Sequence, residues 1–344
     1  MKLHTNNSAG SDTALLAKGS TFCLEYQLFH QNTEHTNTRI IDYIALFTLT
    51  MEDEQRRAWL SNLTIYLDDE VATPDSFIAD HKCLRLTLTE HFEQPVDCQW
   101  QMLWQNSQLM AVYKPAPLAV SRTTRNLHNT LIGLVRRQTP HHSAQLLHRL
   151  DIETSGVILL SKNSESDRLY KPQIKSLIEE KIYHAIVHGT PQWQTLSCEN
   201  YLAERKDSEI RCKMYVVEEN QPADIYIKPK QSKTSFEVLD TQGEYSLIEC
   251  RLHTGRKHQI RAHLAHLNIP IVGDKIYAHQ GHFFLKRLAS EWGLTDDDYQ
   301  TLKSRNHLLR AVQVGLRLSP NEPLITIRCD KFNQDIQQEL ITPL

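Results

Sequence analysis

His148-Arg149-Leu150-Asp151-Ile152-Glu153-Thr154-Ser155-Gly156 runs directly into Val157-Ile158-Leu159-Leu160. Four consecutive apolar residues, entered through the turn formers Thr154, Ser155 and Gly156, predict a strand covered on both faces. On an extended backbone ahead of it, side chains alternate, so Arg149 and Asp151 project to one side and His148 and Leu150 to the other. One face is chemical and the other structural. Taken alone, the pair also fits an exposed Asp–Arg contact of little energetic value.

A second stretch changes the weighing: Thr254-Gly255-Arg256-Lys257-His258-Gln259-Ile260-Arg261-Ala262-His263-Leu264-Ala265-His266-Leu267. Ile260, Leu264 and Leu267 lie at helical spacing, which predicts an amphipathic helix over Arg256 to Leu267 with Thr254 as its N-cap. Arg256, Lys257 and His258 then crowd a first turn where the helix dipole disfavours cations, so an anion is expected there. From Arg251 to His266 stand Arg251, Arg256, Lys257 and Arg261 and no acid, a local charge of +4. A nucleic-acid backbone suits such a patch, and a phosphate metabolite also would.

These two segments resemble the signature segments of the RluA-type pseudouridine synthases. Further segments of that kind follow in order: Tyr113-Lys114-Pro115-Ala116, Lys181-Ile182-Tyr183-His184-Ala185, Lys233-Thr234-Ser235-Phe236-Glu237-Val238-Leu239 and Pro270-Ile271-Val272-Gly273-Asp274-Lys275-Ile276-Tyr277. The resemblance extends over roughly residues 101 to 320. It implies an RNA isomerase that cuts the bond from ribose carbon 1′ to uracil nitrogen 1 and rejoins the base through carbon 5. In that family's pattern Asp151 is the nucleophile, Arg261 the partner that keeps it ionised, and Tyr183 the tyrosine that stacks on the base or takes the carbon 5 proton. Arg149 is implied to enter the RNA as the target nucleotide flips out. Read from its neighbours only, Tyr183 is a core strand tyrosine. Lys114 fits a phosphate contact or a plain surface lysine. Two departures from the pattern stand out: Pro117 where glycine is usual, and Arg310 where histidine is common.

The chain of 344 residues is 40% apolar and 23% charged, which suits a soluble globular protein. No stretch resembles a membrane span, and the polar Met1 to Gly10 lacks the apolar core of a secretory signal, so the cytoplasm is expected. Seven dispersed cysteines without a Cys-x-x-Cys fit reduced thiols. Of the 18 histidines, His253, His258, His263 and His266 cluster most tightly, but only His263 and His266 share a helical face, and no zinc pattern completes them. No glycine-rich nucleotide loop is present. No metal and no cofactor are therefore expected, and the partner expected is structured RNA, ribosomal or transfer, bound by a monomer. The competing class is a non-catalytic RNA-binding or RNA-folding protein.

Charge divides unevenly. Residues 1–100 carry 7 basic and 15 acidic side chains, and the remaining 38 − 7 = 31 basic and 41 − 15 = 26 acidic make the rest net positive. The boundary is placed there: an acidic amino-terminal region over 1–100, faintly like a small S-four RNA-binding module, and a catalytic domain over 101–344. Its acidic runs Glu52-Asp53-Glu54 and Asp68-Asp69-Glu70 would repel phosphate. Strands are expected at Leu109–Tyr113, Val157–Leu160, Lys181–Val187, Ser235–Leu239, Tyr245–Arg251 and Val312–Leu318, and helices near Leu127–Gln138, Asp167–Lys181 and Arg256–Leu267. That pattern predicts an α+β domain, a large mixed and mainly antiparallel sheet with peripheral helices, and a helical insertion over Ala278 to Asn306.

Overall fold

A computed structural model of the protein describes residues 2–4, 20–29, 37–46, 48, 52–78, 83–93, 96–123, 126, 128–290, 293–329 and 339–340. Trp292 and most of the polar stretch Met1 to Gly10 lie outside the described residues. The chain divides into two compact units, residues 1–96 with 124–129, and residues 97–123 with 130–344. Among the described residues, no helix is long and apolar enough to cross a membrane.

The larger unit is built on a mixed sheet. Its strands run in the order Tyr215–Val216, Thr195–Arg205, Tyr226–Gln242, Tyr245–Leu252, Ile178–His188, Leu309–Leu316, Ser155–Ser161, Leu109–Lys114 and Gln101–Gln105. Every neighbouring pair is antiparallel except Ser155–Ser161 with Leu309–Leu316, where Ser155 faces Arg310 and Gly156 faces Ala311. All seven residues of Ser155–Ser161 are buried, as a strand covered on both faces requires. Val157 and Leu159 pack with Leu109, Ala111, Val314 and Leu316 in one core cluster, and each such burial contributes about 1.5–3 kcal/mol. Gly156 sits at φ +112°, and a Cβ there would lie 2.1 Å from the Ala311 carbonyl oxygen. Only glycine permits this strand to approach its parallel neighbour so closely.

The expected strands all form. Three local expectations need correction. Residues 147–154 are a loop rather than an extended strand, although the alternation survives: Leu150 is buried, the His148 ring accepts from the Leu159 N–H at 3.0 Å, Arg149 is exposed and Asp151 partly exposed. The single helix expected over Asp167 to Lys181 is broken into Ser164–Tyr170, a 3-10 turn Lys171–Gln173 and Ile174–Leu177, after which the chain turns extended. Pro172 lies within the 3-10 turn, where its ring and missing N–H oppose a continuous helix. The helix expected from Arg256 starts only at Gln259 and ends at His266. The insertion carries helices His282–Ala289 and Asp296–Leu302. Near the start of the unit, the Ala116–Pro117 peptide is cis.

The smaller unit has a five-stranded antiparallel sheet in the order Lys2–His4, Ser20–Phe29, Cys83–Glu93, Thr64–Leu67 and Glu70–Ala72. Helices Ile40–Ala45 and Asp53–Ser61 bury Ile40, Ile41, Ile44 and Leu60 against Ile65, Leu84 and Leu86.

Candidate active site

The loop that carries Asp151 enters the buried strand Ser155–Ser161, and the helix Gln259–His266 brings Arg261 to it across 110 residues of sequence. The two Asp151–Arg261 partners meet through Arg261 Nη1, which donates to Asp151 Oδ2 at 2.8 Å. The other edge of the guanidinium is held by Asp274: Nε donates to Oδ2 at 2.7 Å and Nη2 to Oδ1 at 2.9 Å. Asp274 Oδ1 also accepts the main-chain N–H groups of Ile276 and Tyr277. Arg261 and Asp274 are buried, while the Asp151 side chain is one-third exposed. The result is an Asp–Arg–Asp line whose inner end is dry and whose outer end opens to a ligand.

Electrostatics follow from that line. Burial pushes the Asp151 carboxyl up, but the Arg261 charge and hydrogen bond outweigh it, and the group stays below the usual carboxylate range. The His258 and His307 rings also face it. Burial first, with the Arg261 charge beside it, draws both histidines down to about 4, which favours their neutral forms and leaves Arg261 as the cation bonded to Asp151. Tyr183 lies on the central strand Ile178–His188, buried, and burial together with the Asp151 charge raises its hydroxyl above the ordinary tyrosine value. It is therefore a phenol at neutral pH.

Several neighbours escaped the sequence reading. Glu153 accepts from Lys275 Nζ at 2.9 Å with both oxygens and from the His307 N–H at 3.1 Å. Lys275 also donates to the Arg305 carbonyl, and the Thr154 hydroxyl pairs with the His307 ring at 2.8 Å. These contacts pin the Asp151 loop to residues 305–307 from outside. Glu153 lies two residues beyond Asp151, and Asp274 is the first acid after a helix rich in bases. Those were the available signals.

The basic cluster differs from expectation. Thr254 is not the N-cap: its hydroxyl accepts from the Lys233 N–H and donates to Gln259 Oε1, which also accepts the Arg256 N–H. His258 occupies the cap position in the left-handed region, at φ 54°. Arg256 and Lys257 thus precede the helix and do not crowd its first turn. Tertiary partners supply acids for two of these cations, Lys257 pairing with Glu204 at 2.7 Å and Arg251 with Glu180 at 2.8 Å, while Arg256 Nε donates to the neutral Gln231 carbonyl. His258 belongs beside Asp151, with Nε2 at 3.9 Å from Oδ2.

Lys114 is neither a phosphate contact nor a surface lysine. It is fully buried, and its ammonium donates to the carbonyls of Pro115, Leu118 and Ile152 at 2.8–3.0 Å. Burial draws its pKa down to about 7, while the three acceptors match the three N–H bonds of the charged form. Its place is under the Asp151 loop, as a brace. Arg310, the other departure in the pattern, forms an ion pair with Glu339. Arg149 is exposed and forms no ion pair among the described residues.

Residues 108–266, which include Asp151, Tyr183 and Arg261, match the RNA pseudouridylate synthase family. The mixed sheet that presents an aspartate loop to a basic helix is thus similar to a pseudouridine-synthase domain over those residues. Relatives narrow the class. An uncharacterised RNA pseudouridine synthase of Chloroflexus aurantiacus is 34% identical over 51% of this chain and 54% of its own length. The ribosomal large subunit pseudouridine synthase D of Neisseria meningitidis is 28% identical over 65% of this chain and 59% of its own length. Over the matched residues the chain is similar to the RluA-type pseudouridine synthases. It spans between half and two-thirds of the length of these curated relatives. The solved human RNA pseudouridylate synthase domain containing 1 shares the fold, with a TM-score of 0.53 at 19% identity, over 69% of this chain and 85% of that one.

Proposed function

We propose that this protein is an RNA pseudouridine synthase that isomerises particular uridines in structured ribosomal or transfer RNA, with Asp151 as nucleophile. The observation that carries the reading is the Asp151–Arg261–Asp274 line, which keeps the partly exposed Asp151 carboxylate ionised at its outer end. The isomerisation exchanges one bond of ribose carbon 1′ for another: the bond to nitrogen 1 breaks, the bond to carbon 5 forms, the carbon 5 proton leaves and nitrogen 1 regains a proton. Nothing is oxidised or reduced. Asp151 supplies the electron pair that opens this exchange, and the Arg261 charge offsets its burial. Tyr183, as a buried phenol, offers a flat ring for the base and an oxygen within the field of Asp151. Arg149, exposed on the same loop, is suited to occupy the space left by a flipped nucleotide.

Relatives named as large ribosomal subunit enzymes favour ribosomal RNA as the substrate. The acidic unit before the catalytic domain is suited to packing or to a basic protein partner rather than to phosphate. The reading has the protein act as a monomer in the cytoplasm. Incubating the purified protein with RNA from a strain that lacks it, followed by chemical mapping of pseudouridine, tests the assignment. Asp151→Ala is expected to form no product while RNA affinity persists. Product formed by that variant overturns the role of Asp151, and a wild-type protein that binds RNA without forming product is a non-catalytic RNA-binding protein.

A further inference from the structure

Met214, Tyr277 and His258 form a hydrogen-bonded line whose far nitrogen, His258 Nε2, lies 3.9 Å from the same oxygen Arg261 holds. The Met214 N–H donates to the Tyr277 hydroxyl at 2.8 Å, and that hydroxyl lies 3.2 Å from His258 Nδ1. Tyr277 is buried, so its own O–H proton needs an acceptor, and among the described residues His258 Nδ1 is the available one. Nδ1 therefore accepts, and the ring proton resides on Nε2. Nε2 lies 3.9 Å from Asp151 Oδ2, beyond hydrogen-bond length but within reach of its charge. Arg261 Nη1 bonds Oδ2 at 2.8 Å, and among the described residues no hydrogen bond reaches Oδ1.

We propose that His258, fixed as its Nε2–H tautomer by Tyr277, is a positioning residue that works with Arg261 to hold Asp151 Oδ2 and leave Oδ1 free to react. The inference rests on the reading of Asp151 as nucleophile. The Arg261 hydrogen bond and the Nε2–H dipole 3.9 Å away both act on one oxygen and disfavour rotation of the carboxylate about its last bond, and this is worth more when the other oxygen must meet a carbon at a defined angle. Tyr277 has a double part, because its ring face also lies 5.1 Å from the Arg261 guanidinium carbon. Tyr277→Phe keeps that face and removes only the hydroxyl. The tautomer then loses its anchor while the arginine keeps its neighbour.

The test is single-turnover kinetics on full-length RNA with enzyme in excess, together with RNA affinity and thermal melting for each variant. His258→Leu is expected to lower the chemical rate by about threefold to tenfold, less than a full hydrogen bond to a charged group would give because Nε2 faces the carboxylate from 3.9 Å, with RNA affinity unchanged. His258→Gln, whose amide nitrogen reproduces the reach of Nε2, is expected to recover most of the rate. Tyr277→Phe is expected to fall between them. A wild-type rate in His258→Leu, or a loss carried by weaker RNA binding, overturns the proposal. So does a loss in His258→Gln as deep as in His258→Leu when both melt as the wild type does. Failure of the underlying reading looks different, since the wild-type protein itself then forms no pseudouridine.

Discussion

Asp274→Asn probes the inner end of the carboxylate line with the smallest change of shape. Asp274 is fully buried and gives the Arg261 guanidinium two of its hydrogen bonds, at 2.7 and 2.9 Å. The amide keeps one acceptor, but its NH2 group then faces an arginine N–H, donor against donor. Arg261 is left with Asp151 as its single anionic partner. Removing one member of a buried pair costs about 3–5 kcal/mol, which in a unit of this size lowers the melting temperature by on the order of 10 °C. The pH dependence changes as well. The Arg261 charge and hydrogen bonds hold the Asp274 carboxyl well below the usual range despite its burial. Its contribution is therefore fully present above the unfolded pKa of about 4 and is lost as the pH falls below it. Denaturant titrations of wild type and variant between neutral pH and pH 3 are expected to converge towards the acid end. A variant as stable as the wild type at pH 7, or a gap that stays constant into acid, refutes the claim that Asp274 acts as a charged partner of Arg261.

Three further outcomes follow from geometry. Gly156→Ala places a methyl group 2.1 Å from the Ala311 carbonyl at a φ that L residues avoid; a loss of about 3 kcal/mol or more in a urea titration is expected, and near-wild-type stability would contradict the close strand approach. Lys114→Met leaves the carbonyls of Pro115, Leu118 and Ile152 without their donor. A loss of about 3 kcal/mol, from roughly 1 kcal/mol per abandoned acceptor, is expected in the same assay, with RNA affinity unchanged; weakened RNA binding in a stable variant would restore a phosphate role for the lysine. For Arg149→Ala, product formation is expected to fall more on a folded stem-loop than on an unstructured oligonucleotide, and an equal loss on both would refute its part in base flipping.

The alternation around Asp151 was legible because side-chain direction follows local backbone, and it survived even though residues 147–154 are a loop. The Ile260–Leu264 stripe was legible for the same reason: both residues are buried on the short helix. The start of that helix was not. His258 takes a left-handed conformation that costs energy in a non-glycine residue, and the Gln259 amide builds the turn through Thr254 and Arg256 in a way that no propensity anticipates. Local charge counting failed for a related reason. The segment Arg251 to His266 contains no acid, yet Glu180, Glu204 and Asp274 reach its cations from other elements. Lys114 was misread because its residue type favours the surface, and only the tertiary convergence of three carbonyls accounts for its burial.

The order of strands carries a consequence for synthesis. Asp151, Tyr183 and Arg261 have all been made once the helix Gln259–His266 is complete, but the strand Leu309–Leu316 lies between the strand of Tyr183 and the strand that follows Asp151. Until it inserts, two half-sheets present open edges to each other. A nascent chain thus holds Asp151, Tyr183 and Arg261 before it holds the strand that joins the two half-sheets carrying the first two of them.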